Sequence, residues 1–83
     1  MEKIEILLKK ARQNPNDFRF SDLCNICDHF FGKARQESGS HRVYKTPWQG
    51  DPRVNIQKGK GGKAKSYQVR QVIRAVEKIR SQI

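Results

Sequence analysis

The sequence predicts a small α+β domain, with helices on one face of a three-stranded antiparallel sheet and an extra helix at the N-terminus. Three observations predict it. The chain has 83 residues, enough for one modest core. Apolar residues recur at helical spacing in two stretches, Leu23/Ile26/Cys27/Phe30 and Val69/Val72/Ile73/Val76. Between them, Arg53-Val54-Asn55-Ile56-Gln57 alternates polar and apolar, the signature of a strand with one buried face.

The elements follow in order. Residues 2–13 read as a helix, with Ile4, Leu7, Leu8 and Ala11 on one narrow face, stopped by Asn14-Pro15-Asn16-Asp17. So narrow a stripe suits an addition, so residues 1–17 are expected to form an extension and 18–83 the domain proper. Residues 22–31 form a second helix, with Ser21 as N-cap, Asp22 in the first turn where the helix dipole favours an anion, and Gly32 after the end. Lys33–Ser38 is an edge-strand candidate and Gly39-Ser40 a tight turn. Arg42–Thr46 is a strand with Val43, Tyr44 and Thr46 as strand formers. Pro47, Gly50 and Pro52 mark a loop that holds Trp48. In Arg53–Gln57, Val54 and Ile56 face the core. Lys58-Gly59-Lys60-Gly61-Gly62-Lys63 reads as a flexible basic loop. Ser66 is a cap candidate for the last helix, whose buried stripe is Val69, Val72, Ile73, Val76, Ile79 and Ile83. A double-stranded-RNA-binding-type domain also lays helices on one face of a three-stranded sheet.

Charge narrows the function. The formal net charge is +10. Residues 1–32 carry five cations and five anions, whereas 33–83 carry thirteen cations and three anions. A one-sided excess of this kind points to a polyanion, nucleic acid first and an acidic protein second. No apolar run is long enough to span a membrane, and Met1-Glu2-Lys3-Ile4-Glu5 lacks the layout of a signal peptide. A cytoplasmic location, no membrane partner and reduced thiols at Cys24 and Cys27 are expected.

His41 is the candidate for chemistry. It stands where a glycine turn enters a strand, with cations before and after it in the chain. Histidine can accept and release a proton near neutrality. RNA brings its own nucleophile, the 2′-hydroxyl, so a base and nearby cations suffice and no cofactor is required. Arg42, Lys45 and Arg53 are the leading candidates for phosphate and transition-state contacts. Lys60, Lys63, Arg70 and Arg74 are candidates for looser backbone contacts. Strict alternation puts His41 and Val43 on one face. Either the turn lets His41 leave the alternation, or Tyr44 is the core residue and Val43 lies open.

Other motifs read more blandly. Cys24-x-x-Cys27 with His29 lacks enough ligands for structural zinc, and Cys27 lies on an apolar stripe, so packing is the better reading. Gly59-Lys60-Gly61-Gly62-Lys63-Ala64 fails the phosphate-loop pattern, because Ala64 stands where Ser or Thr must follow Gly-Lys. Trp48 is the aromatic best placed to stack on a base; Tyr44 reads better as core.

Three stretches carry a family resemblance: Phe18-Arg19-Phe20-Ser21-Asp22-Leu23, Arg35 to Tyr44 with its Gly39-Ser40-His41 centre, and Gly62-Lys63-Ala64-Lys65-Ser66-Tyr67-Gln68-Val69-Arg70-Gln71. Over residues 18–80 the chain resembles the HicA family of toxin ribonucleases from bacterial and archaeal toxin–antitoxin pairs. The resemblance implies a double-stranded-RNA-binding-like fold, a metal-independent endoribonuclease acting on mRNA, His41 as its catalytic residue, and growth arrest when unopposed. It also implies a HicB-type antitoxin that covers the histidine, and a free toxin that is monomeric. Many members carry a second histidine after the first; here Arg42 stands in that place.

Overall fold

A computed structural model of the chain describes residues 3–38, 41–46 and 53–81. It shows a small α+β domain with three α-helices, Lys3–Gln13 (α1), Phe20–Phe31 (α2) and Ser66–Ser81 (α3), and an antiparallel sheet. The body of the sheet is the ladder between His41–Lys45 (β2) and Arg53–Gln57 (β3), paired from His41↔Gln57 to Lys45↔Arg53. Gln36–Ser38 (β1) adds three residues to the other edge of β2, so the order is β1-β2-β3. No helix among the described residues is long and apolar enough to cross a membrane.

The register settles which strand residues face the helices. Arg42 and Tyr44 share a face with their partners Ile56 and Val54, and Tyr44, Val54 and Ile56 all enter the core cluster. Tyr44 is fully buried, so it is the core residue of β2. His41, Val43 and Lys45 take the other face by alternation. Val43 is buried but stands outside that cluster.

Two helix starts differ from the sequence expectation. Ser21 lies inside α2, which begins at Phe20 behind an extended Arg19. The earlier start buries Phe20 in the core, and the Arg19 carbonyl accepts the Leu23 N–H at 3.1 Å. Ser66 likewise lies within α3; the Lys65 carbonyl accepts the N–H groups of Gln68 and Val69, each at 3.0 Å. Gly32 ends α2 with φ +80°, and its N–H donates to the Asp28 carbonyl.

The helix expected as an addition over residues 1–17 shares one core with the rest. Leu7, Leu8 and Ala11 are buried in the same cluster as Leu23, Ile26, Val69 and Val76. Glu5 pairs with Arg80, and Arg12 with Glu77 at 3.4 Å, along the seam between α1 and α3. These pairs are well exposed and contribute little beside the burial. Cys24 and Cys27 are buried free thiols on the core side of α2, and burial pushes the Cys27 thiol far above its usual range.

The basic loop after β3 carries a hydrogen-bonded turn where the sequence suggested a flexible stretch. Lys58 bridges Ala64, and the Gly59 N–H donates to the Lys63 carbonyl at 2.6 Å. The turn Lys60–Gly62 places Gly61 at φ +67° and Gly62 at +78°, conformations that disfavour any residue with a Cβ. The Phe18 carbonyl accepts the Ala64 N–H at 2.8 Å, which pins this hairpin to the segment between α1 and α2. Just beyond it, the Oε1 of buried Gln68 accepts the Gln57 N–H at 2.8 Å and ties the outer edge of β3 to α3. Gln68→Ala strands that N–H. We expect a loss of about 1–3 kcal/mol in urea unfolding, with Gln68→Glu, which keeps an acceptor, losing less.

Candidate nucleic-acid interface

The sheet face turned away from the helices carries His41, Val43 and Lys45 from β2, and Arg53, Asn55 and Gln57 from β3. All but Val43 are exposed. Lys45 stands directly opposite Arg53, so two cations share one end of the face. His41 stands opposite Gln57 at the other end. Along β2 the two ends are about 13 Å apart, four residues of strand.

A further cation joins the His41 end. Lys65 Nζ donates to Gln57 Oε1 at 3.2 Å, and Gln57 is the cross-strand partner of His41. Lys65 was not among the sequence candidates. Its position follows from the hairpin that folds Ala64 back onto Lys58, a pairing with no local signal in the sequence beyond the glycines that permit the turn.

The structure does not bring Arg42 to this face. The next residue on a strand points to the opposite side, and Arg42 lies 3.7 Å from the Asp28 carboxylate of α2. Its Nη1 donates to the Tyr44 hydroxyl at 3.3 Å, and that hydroxyl donates to Asp28 Oδ1 at 2.7 Å. Burial first, then the Asp28 contact, raises the phenol far above its ordinary range, against the opposing pull of Arg42; it stays a neutral donor.

The remaining candidates scatter. Lys60 is exposed in the hairpin turn. Lys63 Nζ lies 2.6 Å from Asp17 Oδ1, and this bond holds the Asp17 carboxyl below its ordinary value of 3.8. A lowered folded pKa means that the contact stabilises above the ordinary carboxylate range and fades as pH falls through the folded value. Arg70 and Arg74 lie on the outward face of α3, opposite the stripe Val69, Val72, Ile73 and Val76. Tyr67, 60% exposed, stands in the same outward stripe. His29 is exposed and meets the Phe30 ring edge-on at 4.8 Å. The Gly39-Ser40 turn, Trp48 with its loop, and Ile83 lie outside the described residues. Among the described residues, no group of three or more His, Cys, Asp or Glu side chains converges as a metal site would require.

Chemically, then, the open face offers an exposed imidazole with Lys65 beside its cross-strand partner and Lys45 and Arg53 further along the same face. Such a row can hold successive phosphates and move a proton at one of them. Comparison with family models, with curated proteins and with solved structures finds no match.

Proposed function

We propose that this chain is an endoribonuclease that cuts mRNA, the toxin of a toxin–antitoxin pair, built on a double-stranded-RNA-binding-like fold. The observation that carries the reading is His41, exposed on the open sheet face in one row with Lys45 and opposite the strand that bears Arg53. The excess of +10 lies wholly in residues 33–83, which hold that row. The resemblance to HicA toxins over residues 18–80 points the same way, and adds a HicB-type antitoxin as the partner that covers the face.

The chemistry is economical. His41 takes the proton of a ribose 2′-hydroxyl, and that oxygen attacks the adjacent phosphorus. The bond from phosphorus to the 5′-oxygen breaks, and the leaving oxygen takes up a proton from the imidazolium or from water. The products are a 2′,3′-cyclic phosphate and a 5′-hydroxyl. Lys65, Lys45 and Arg53 spread positive charge along the phosphates and favour the more anionic transition state.

A non-catalytic RNA-binding domain is the second reading. The position of Arg42 favours it, because the residue that follows the histidine is engaged with Asp28 on the other face. The deciding experiment is cleavage of single-stranded RNA in EDTA by the purified chain and by His41→Ala, beside binding of the same RNA by both. Cleavage by the unsubstituted chain alone supports the enzyme; equal binding with no cleavage by either supports the binder.

The two faces of β2 also separate by substitution. Lys45→Ala and Arg53→Ala are each expected to flatten the salt dependence of RNA binding by about 0.7 in log K against log salt. Arg42→Ala should leave that slope unchanged and cost about 1 kcal/mol of stability, because the Asp28 carboxylate keeps the Tyr44 bond but loses its cation. A slope that falls with Arg42→Ala as much as with Lys45→Ala would return Arg42 to the RNA-binding set.

A further inference from the structure

A cavity of about 380 Å³ opens at the far end of β2 from His41, lined by Phe30, Phe31, Lys33, Arg35, Lys45 and Thr46. Its volume falls in the range of small-ligand sites, roughly 300–1,000 Å³. Phe30 and Phe31, the last two residues of α2, are partly buried, so their rings are anchored in the core edge while still lining the cavity. The Phe31 ring rests near Tyr44, centroids 6.3 Å apart, and Arg80 covers Phe30 at 5.4 Å. Three cations join these rings, and no carboxylate lines the space. The Arg35 N–H donates to the Val43 carbonyl at 2.7 Å, which fixes the stem of that cation against β2.

Aromatic rings with cations at the edge match the two parts of a nucleotide. A base stacks on a ring whatever its sequence, and its phosphate pairs with the cations. Lys45 belongs both to this cavity and to the row that contains His41, so a strand running along the open face reaches the cavity without a turn. The larger cavity, about 470 Å³ beside the start of α2, fits an anion less well. Asp28 stands inside it and engages its Arg42.

We propose that the cavity at Phe30, Phe31, Lys33, Arg35 and Lys45 is a nucleotide subsite for single-stranded RNA. It holds one base against the phenylalanines and a phosphate among the cations, and it sets how the strand is registered on His41. This rests on the reading of the chain as an RNA-binding protein, and not on cleavage.

The test uses the full chain carrying His41→Ala, so that the RNA stays intact. Binding of a short fluorescein-labelled single strand is followed by anisotropy over a salt series. Lys33 and Arg35 are both exposed, and Lys33→Ala/Arg35→Ala is expected to lower the salt slope by about 1.4, two phosphate-contact equivalents. A second readout needs no substitution. The chain has four phenylalanines, so fluorine-labelled phenylalanine gives four signals. A tri-ribonucleotide should move those of Phe30 and Phe31 and leave that of Phe18, 3% exposed, in place.

An unchanged slope in a folded double variant would overturn the subsite and leave RNA binding elsewhere on the face. So would a shift at Phe20, which lines the other cavity, in place of Phe31. Should the double variant fail to fold, the fluorine signals decide. A response of Phe31 to an acidic peptide but not to the nucleotide would assign the cavity to a protein partner. No RNA binding by the unsubstituted chain would overturn both the subsite and the proposed function.

Discussion

The His41→Ala chain is expected to cut RNA about 10²–10⁴ times more slowly than the unsubstituted chain, the usual contribution of a positioned general base or acid. Two features of the structure make the experiment clean. His41 is exposed and faces away from the core cluster, so its removal opens no cavity. The strand propensity lost on going to alanine lies within a scale of about 1 kcal/mol. RNA affinity should barely change, because the cations on the face, Lys45, Arg53 and Lys65, remain. A fall in rate with unchanged affinity is the signature of a group that acts on the reacting atoms. Purifying both chains alike also controls for a contaminating nuclease, which would cut equally in both. If His41→Ala loses affinity and rate together, the histidine holds RNA and the chemistry lies elsewhere. Lys65 would then be examined first, because it reaches the same end of the face through Gln57.

Much of this arrangement is legible in the chain before any coordinates. The alternation of Arg53 to Gln57 gives both the limits of β3 and its inward pair, Val54 and Ile56. The adjacent Val43 and Tyr44 were ambiguous for a physical reason. Two neighbouring apolar residues on a strand cannot both face one core, and only the pairing with β3 selects Tyr44. Arg42 is a different case. Its separation from His41 was present in the same alternation, and grouping the two by adjacency overlooked it. Lys65 was not legible, because its place depends on the turn at Lys60–Gly62 and the bridge from Lys58 to Ala64. The cavity at Phe30 and Phe31 was hidden for a similar reason. It joins the end of one helix to the end of a strand, and such a meeting leaves no periodic trace.

The structure also reassigns α1, and the test of that is energetic. Leu8→Ala is expected to cost about 2–5 kcal/mol, the range for a fully buried leucine, because Leu8 is 0% exposed within the single core. A domain of this size has roughly 4–12 kcal/mol to lose, so one such change removes a large share of the total. Ile6, on the same helix but 41% exposed, serves as the comparison: Ile6→Ala should stay within about 0.5 kcal/mol. Urea unfolding of both variants separates the two pictures of the helix. An appendage predicts that both substitutions are mild and that removing residues 1–13 leaves a cooperative transition near the original midpoint. An integral helix predicts a large loss for Leu8→Ala alone and a collapse of cooperativity on truncation, because Leu23, Ile26, Val69 and Val76 would lose part of their cover. Mild effects from both would sink the second picture. The distinction bears on function too. If α1 is integral, a variant there that abolishes RNA cleavage reports on folding, and only substitutions on the open sheet face speak to the chemistry.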